Sequence, residues 1–166
     1  MAEKKYILTK EEASHKIERL ALEVAEYIQD ANEELIIIGI RESGTLIATK
    51  IYDLLQQYIK SPINLLVAKL DKTKPVDVVF DKDVDFNGKN ILIVDDVANS
   101  GKTLLYALKP LLVFHPKQIQ TLVLVERMHK LFPVKPDFVG LSMATTLEDY
   151  IQVEIIDNEI AGAFIG

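Results

Sequence analysis

The chain contains no cysteine. That excludes a disulfide framework and any thiolate-bound metal. No apolar run approaches the ~20 residues that a bilayer-spanning helix needs, so no membrane partner is expected. The opening "MAEKKYILTKEEASHK" is too charged for a secretory leader, and a cytoplasmic address is the expectation. Positive charge is in deficit: 19 Lys and Arg stand against 25 Asp and Glu, for a net charge of −6. That balance works against nucleic-acid binding driven by bulk charge, but it leaves room for a local basic face. Repeats, low-complexity segments and an internal domain boundary are also lacking. What is there is ordinary: 166 residues, 49% hydrophobic and 27% charged, enough for one compact domain over 1–166.

Between Lys10 and Asp30, the apolar residues Ile17, Leu20, Ala21, Val24, Ala25 and Ile28 recur at helical spacing. Thr9 followed by Glu12 has the form of a capping box. "ELIIIGI" is short and almost wholly apolar, as a strand covered on both faces must be. Gly39 and "RESG" break it, and Thr45 to Tyr58 reads as the next helix. "INLLVAKL", "NILIVDD" and "IQTLVLVER" repeat the strand signal, with a helix expected from Gly101 to Val113. Asp71 to Gly88 reads as a mobile, charged excursion with room for a short strand at Val76 to Phe80. "PVKPDFVGLSM" and "DYIQVEII" give two further strands. Strands alternating with helices imply an α/β fold, a doubly wound and mainly parallel sheet flanked by helices.

The stretch "ILIVDDVANSGKT", Ile91 to Thr103, ends like a phosphate-binding P-loop. A P-loop needs glycine where this chain has Asp96, and an aspartate there would repel a wrapped triphosphate. A different ligand suits both halves of the stretch. Backbone N–H groups at the helix start, with the hydroxyls of Ser100 and Thr103, can hold one phosphate. Asp95 and Asp96 are then acceptors for sugar hydroxyls, which donate. A ribose 5-phosphate fits.

Apolar strand, two acids, short turn and [ST]-G-x-T together resemble the phosphoribosyl-diphosphate (PRPP) motif of type I phosphoribosyltransferases. The resemblance implies that family's fold, with a small C-terminal hood over the sheet. It implies that Asp95, Asp96 and Arg41 form the catalytic set, the two acids gripping the ribose. Ala98, Asn99, Ser100, Gly101, Lys102 and Thr103 would hold the 5-phosphate. Arg41, Glu42, Ser43 and Gly44 would hold pyrophosphate at the start of the next helix. Mg2+ would arrive chelated by PRPP, without a firm protein ligand. Asp71 to Gly88 takes the place of the family's closing loop; Lys72 and Lys74 add positive charge there, and it has no arginine.

"LVLVERMHKLFPVKPDFVG" resembles the PyrR family, pyrimidine-attenuation regulators that are also uracil phosphoribosyltransferases. Val125, Arg127, His129, Pro133, Val134, Asp137, Phe138, Val139 and Gly140 match its pattern. Lys130 and Lys135 stand for arginines, Glu126 for aspartate and Met128 for glycine. The resemblance implies transfer of the phosphoribosyl group from PRPP to uracil, giving UMP and pyrophosphate. The base pocket would lie at Glu126, Arg127, Phe138 and Val139, with Arg127 shaping it, in a homodimer or higher homo-oligomer. Two alternatives stay open. "VKPDFVG" also occurs in hypoxanthine-guanine phosphoribosyltransferases, although those carry lysine at the position of Glu126 and a proposed catalytic aspartate at that of Asn99. A largely non-catalytic, nucleotide-sensing RNA-binding regulator is the second. Arg127, His129, Lys130 and Lys135 match the family's RNA-binding face, and read without the resemblance they form a solvated turn.

Overall fold

The computed structural model describes residues 3–28, 30–71, 73–146 and 148–166. Every residue of β2 (Leu35–Ile40) is buried, so this strand needs cover on both faces. It lies in the interior of a six-stranded sheet with β3 (Ile63–Lys69) on one side and β5 (Asn90–Ala98) on the other. β6 (Gln118–Arg127) and β7 (Phe138–Met143) continue the sheet, and the two-residue β4 (Val79–Phe80) closes the far edge. All neighbours are parallel except β4 against β3.

Strand alternation divides the core in two. Ile37, Leu92, Val94, Leu122 and Leu124 face α1 (Lys10–Tyr27) and α2 (Arg41–Tyr58). Ile36, Ile38, Ile91, Ile93 and Val123 face α3 (Lys102–Leu108) and the 3-10 turn Lys109–Leu111. Ile47, Ile51 and Leu55 of α2 are fully buried on the first face; truncating any of them to alanine removes about 2–5 kcal/mol. At the head of α1, Thr9 Oγ1 accepts the Glu12 N–H at 3.1 Å, one half of the capping box read from the sequence, while the Glu12 carboxylate accepts from the Thr9 hydroxyl at 3.2 Å.

The hood is a separate three-stranded antiparallel sheet of order β1-β9-β8. β8 (Ile151–Ile156) and β9 (Glu159–Ile165) meet in a two-residue turn, Asp157 and Asn158, both at positive φ. β1 (Lys5–Thr9) completes the sheet from the other end of the chain, so the hood is not C-terminal alone. Among the described residues, no helix is long and apolar enough to cross a membrane.

Three expectations change. α2 begins at Arg41 rather than Thr45, so "RESG" is its first turn, because β2 passes into the helix with no loop between them. α3 stops at Leu108 and the 3-10 turn at Leu111, short of Val113, because Pro110 offers no N–H to continue the ladder. The charged excursion is anchored in its second half. Asp81 exchanges hydrogen bonds with Val67, accepting its N–H at 2.8 Å on Oδ1 and donating its own to Val67 O at 3.0 Å. Phe86, only 2% exposed, packs its ring between Phe80 and Phe114. Lys72 lies outside the described residues.

Candidate active site

The parallel strands β2, β5 and β6 end on the same side of the sheet, where open α/β sheets place their ligands. The chain turns from β2 into α2 at Arg41, whose φ of 55° is uncommon for a residue with a Cβ. Such a conformation costs about 1–3 kcal/mol and persists only where surroundings impose it. Here they do. Gly39 lets the helix fold back, since a Cβ on it would stand 2.5 Å from Thr45 Cα. Thr45 Oγ1 donates to Arg41 O. Gly44 seats the first turn on β5, within 2.7 Å of Val94 O measured from an added Cβ. Arg41 is half-buried, and its buried Nε has no hydrogen-bond partner among the described residues. Glu42 is exposed at the mouth of a cleft of about 760 Å³, which Arg41, Lys69 and Asn158 also line. Arg41, Glu42, Ser43 and Gly44 are thus brought beside the end of β5.

Asp95 is 2% exposed at that end. Burial pushes its carboxyl well above the usual carboxylate range, and the charge of Asp96 and a hydrogen bond with its carboxyl push the same way. The Asp96 N–H, donated to Asp95 Oδ1 at 2.8 Å, and the Arg41 guanidinium act in the opposite direction. Asp96 is half-buried and its Oδ1 accepts the Val97 N–H at 2.8 Å. Among the described residues, no group of three or more His, Asp or Glu side chains comes together in a form that could hold a metal ion.

Beyond β5 the chain turns through Asn99, Ser100 and Gly101 into α3. Gly101 sits at φ 85°, a left-handed conformation that suits glycine, and caps the helix. Ser100 Oγ accepts the Lys102 N–H at 3.2 Å, while Ser100 O accepts both Leu131 and Phe132 N–H at 3.0 Å. The loop after β6 therefore straps the turn from behind. Ala98 to Thr103, Asp95 and Tyr150 line one cavity of about 170 Å³. Tyr150 belongs to the hood and is 56% exposed. It is held on both sides. Arg127, beneath it, lies 5.9 Å from its ring centre and donates from Nη2 to Thr146 O at 2.9 Å. Asn99 binds the next residue, Ile151, by a pair of hydrogen bonds at 3.1 Å. The sequence does not single out Tyr150; its only local signal is an aromatic residue at the head of a hood strand.

The expected base pocket is not one place. Arg127 reaches the hood, but Phe138 is 3% exposed in the core, edge-on to Tyr27 at 5.4 Å, because it follows the tightly packed start of β7. There Asp137 accepts the Thr121 N–H at 2.8 Å and fixes which way the strand faces. Glu126 and Val139 line a different groove, with Lys130, Phe132 and Pro133, at the edge of the sheet. Lys130 is drawn into that groove, its Nζ 3.4 Å from Glu126 Oε1 and both side chains nearly buried, so it does not stand in solvent beside the exposed His129 and Lys135.

Residues 5–154 match the family described as the phosphoribosyl transferase domain. The chain belongs to the phosphoribosyltransferases. It is 31% identical to Bifunctional protein PyrR of Roseiflexus sp. (strain RS-1), over 97% of this chain and 94% of that one. It is 35% identical to Bifunctional protein PyrR of Microcystis aeruginosa, over 94% and 92%. These relatives place it in the PyrR family of type I phosphoribosyltransferases. Among solved structures, the hypoxanthine phosphoribosyltransferase of Trypanosoma cruzi superposes with a TM-score of 0.78, over 97% of this chain and 95% of its own. At 16% identity that likeness is one of phosphoribosyltransferase fold alone.

Proposed function

We propose that this phosphoribosyltransferase moves the 5-phosphoribosyl group of PRPP to uracil, forming UMP and releasing pyrophosphate. The observation that carries the reading is the single cavity in which Asp95, the Ala98 to Thr103 turn and Tyr150 meet. The turn takes the 5-phosphate through its N–H groups and hydroxyls. Asp95 and Asp96 accept from the ribose hydroxyls, which donate. Arg41, with its unpartnered Nε, faces the departing pyrophosphate from the start of α2. Mg2+ enters as part of the substrate, on the diphosphate of PRPP, and adds charge neutralisation there.

In the reaction the anomeric C–O bond to pyrophosphate breaks and a bond to the uracil ring nitrogen forms, with inversion. The electron pair leaves with pyrophosphate, and the proton given up by the ring nitrogen passes to the released pyrophosphate. The protein's part is to hold the reacting centres in line and to stabilise charge on the leaving group. Tyr150 offers a planar face to the base. Two features support uracil over a purine. The relatives at 31% and 35% identity over almost the whole chain are PyrR proteins, whereas the hypoxanthine enzyme matches the chain at 16%. Asn99, at the position where the purine enzymes carry a proposed base, is an amide already bonded to Ile151.

A steady-state assay with Mg2+, PRPP and a panel of uracil, hypoxanthine, guanine and xanthine tests this. Uracil alone should be consumed with PRPP. Turnover of hypoxanthine or guanine in its place would overturn the base assignment, and inertness to all four would overturn the enzymatic one.

A further inference from the structure

We infer that Asn99 is a positioning residue that couples the grip on the sugar-phosphate to the seat of the base. The inference rests on the PRPP reading above and deepens it. Asn99 Nδ2 donates to Ile151 O at 3.1 Å, and Ile151 N donates to Asn99 Oδ1 at 3.1 Å. Both bonds go to one residue, the first of β8. The side-chain amide acts as a strand would, offering one donor and one acceptor to a single backbone unit.

Few side chains can do this. A carboxylate keeps the bond from Ile151 N–H but sets an acceptor against Ile151 O, and a hydroxyl at this position is too short to span both groups. The pairing therefore selects an amide, and Asn99 carries one on a short stem in the turn that leads into α3. Its placement gives the pairing a consequence for binding. Asn99 is flanked by Ala98 and Ser100, which line the cavity with it; Ile151 is flanked by Tyr150, which lines the same cavity from the hood. Arg127 fixes the hood a few residues upstream, at Thr146 O. A ligand that orders the Ala98 to Thr103 turn through its phosphate thus orders Ile151, and through it the ring of Tyr150. By linkage, a base seated on Tyr150 strengthens the hold on the phosphate by the same factor.

Calorimetric titration of ribose 5-phosphate, UMP and IMP into the wild type, Asn99→Leu and Asn99→Asp tests the coupling. In the wild type the preferred nucleotide should bind more tightly than ribose 5-phosphate. In Asn99→Leu that ratio should fall about tenfold, as two hydrogen bonds are lost. In Asn99→Asp, measured at the same pH, the carboxylate keeps the bond from Ile151 N–H but sets an acceptor against Ile151 O, so the ratio should fall as well. That near-isosteric variant carries the test if Asn99→Leu does not fold. An unchanged ratio in the variants, or an equal loss for the nucleotide and ribose 5-phosphate, overturns the coupling. A wild type that binds none of the three overturns the PRPP reading instead, and one that prefers IMP to UMP overturns only the choice of base.

Discussion

Gly44 of α2 rests on the backbone of Asp95: a Cβ at Gly44 would stand 3.2 Å from Asp95 Cα and 2.7 Å from Val94 O. Both obstacles are backbone in a central strand and cannot rotate away. Gly44→Ala must lift the head of α2 from β5, at a cost of about 1–3 kcal/mol. The melting temperature should fall by about 2–4 °C for each kcal/mol. PRPP affinity should fall by more than tenfold, because Arg41 and Asp95 would no longer share one site. An alanine variant with unchanged melting temperature and affinity would contradict this seating.

For Asp95, burial of the carboxyl comes at the expense of stability. Its carboxyl is raised by burial first and by Asp96 second, so the folded chain keeps a proton that the unfolded chain has given up. The resulting stabilisation is full below the ordinary carboxylate range and is lost as pH rises through the raised value. Asp95→Asn replaces the charge with a neutral isostere that can still accept the Asp96 N–H. Its melting temperature at pH 7 should exceed that of the wild type by about 2–6 °C, and part of the stability change between about pH 4 and 7 should vanish. PRPP affinity should meanwhile drop by more than tenfold. Melting curves across that pH interval, paired with PRPP titration, check both halves.

The central sheet and the turn from β5 into α3 are legible in the sequence because their signals are local. β2 is apolar throughout, and the acids, hydroxyls and glycine of the turn lie within a few residues of one another. What the sequence hides depends on distant partners. β1 is a short, weakly patterned segment, and it is a strand because β9, far away in the sequence and already paired with β8, pairs with it. The start of α2 is hidden because Arg41 takes positive φ without being glycine; only Gly39 and Gly44 on either side hint at a tight reversal. Phe138 draws attention through its motif, yet the motif's Asp137 anchors the strand so that Phe138 faces the core. Tyr150 reaches the cavity only through Asn99 and Arg127, which a linear reading does not join to it.

Lys102 joins the turn at the head of α3 to the charged excursion, its Nζ donating to Thr73 O at 3.3 Å. Two local bonds shape the segment there, Thr73 N to Asp71 Oδ1 at 2.9 Å and Val76 N to Lys74 O at 2.8 Å. An exposed tether of this kind is worth about 0.5–1 kcal/mol. Lys102→Met should therefore raise hydrogen exchange over residues 73–78 by about threefold. Exchange over 79–88 should not change, because Asp81 and Phe86 anchor that half independently. Equal exchange in the variant and the wild type over 73–78 would show that the tether does not restrain the segment.

Lys130 separates a structural role from a nucleic-acid role for the loop after β6. Its ammonium faces Glu126 Oε1, and Glu126 Oε2 is buried without a hydrogen-bond partner among the described residues. Removing the lysine leaves a buried carboxylate with no counter-charge, a loss of about 3–5 kcal/mol. The effect should spread to the sugar-phosphate turn, since Leu131 and Phe132 next to Lys130 donate to Ser100 O. Lys130→Ala should thus lower both the denaturation midpoint and the affinity for ribose 5-phosphate. Glu126→Leu combined with Lys130→Met should restore most of the stability, giving a coupling energy on the order of 2 kcal/mol in a double-mutant cycle. A lysine standing free in solvent to meet RNA phosphates would behave otherwise. Its alanine variant would keep its stability to within about 0.5 kcal/mol and would lose RNA affinity with a shallower salt dependence. Chemical denaturation of the four proteins, beside RNA titration at two salt concentrations, decides between the roles, and the burial of both side chains favours the first.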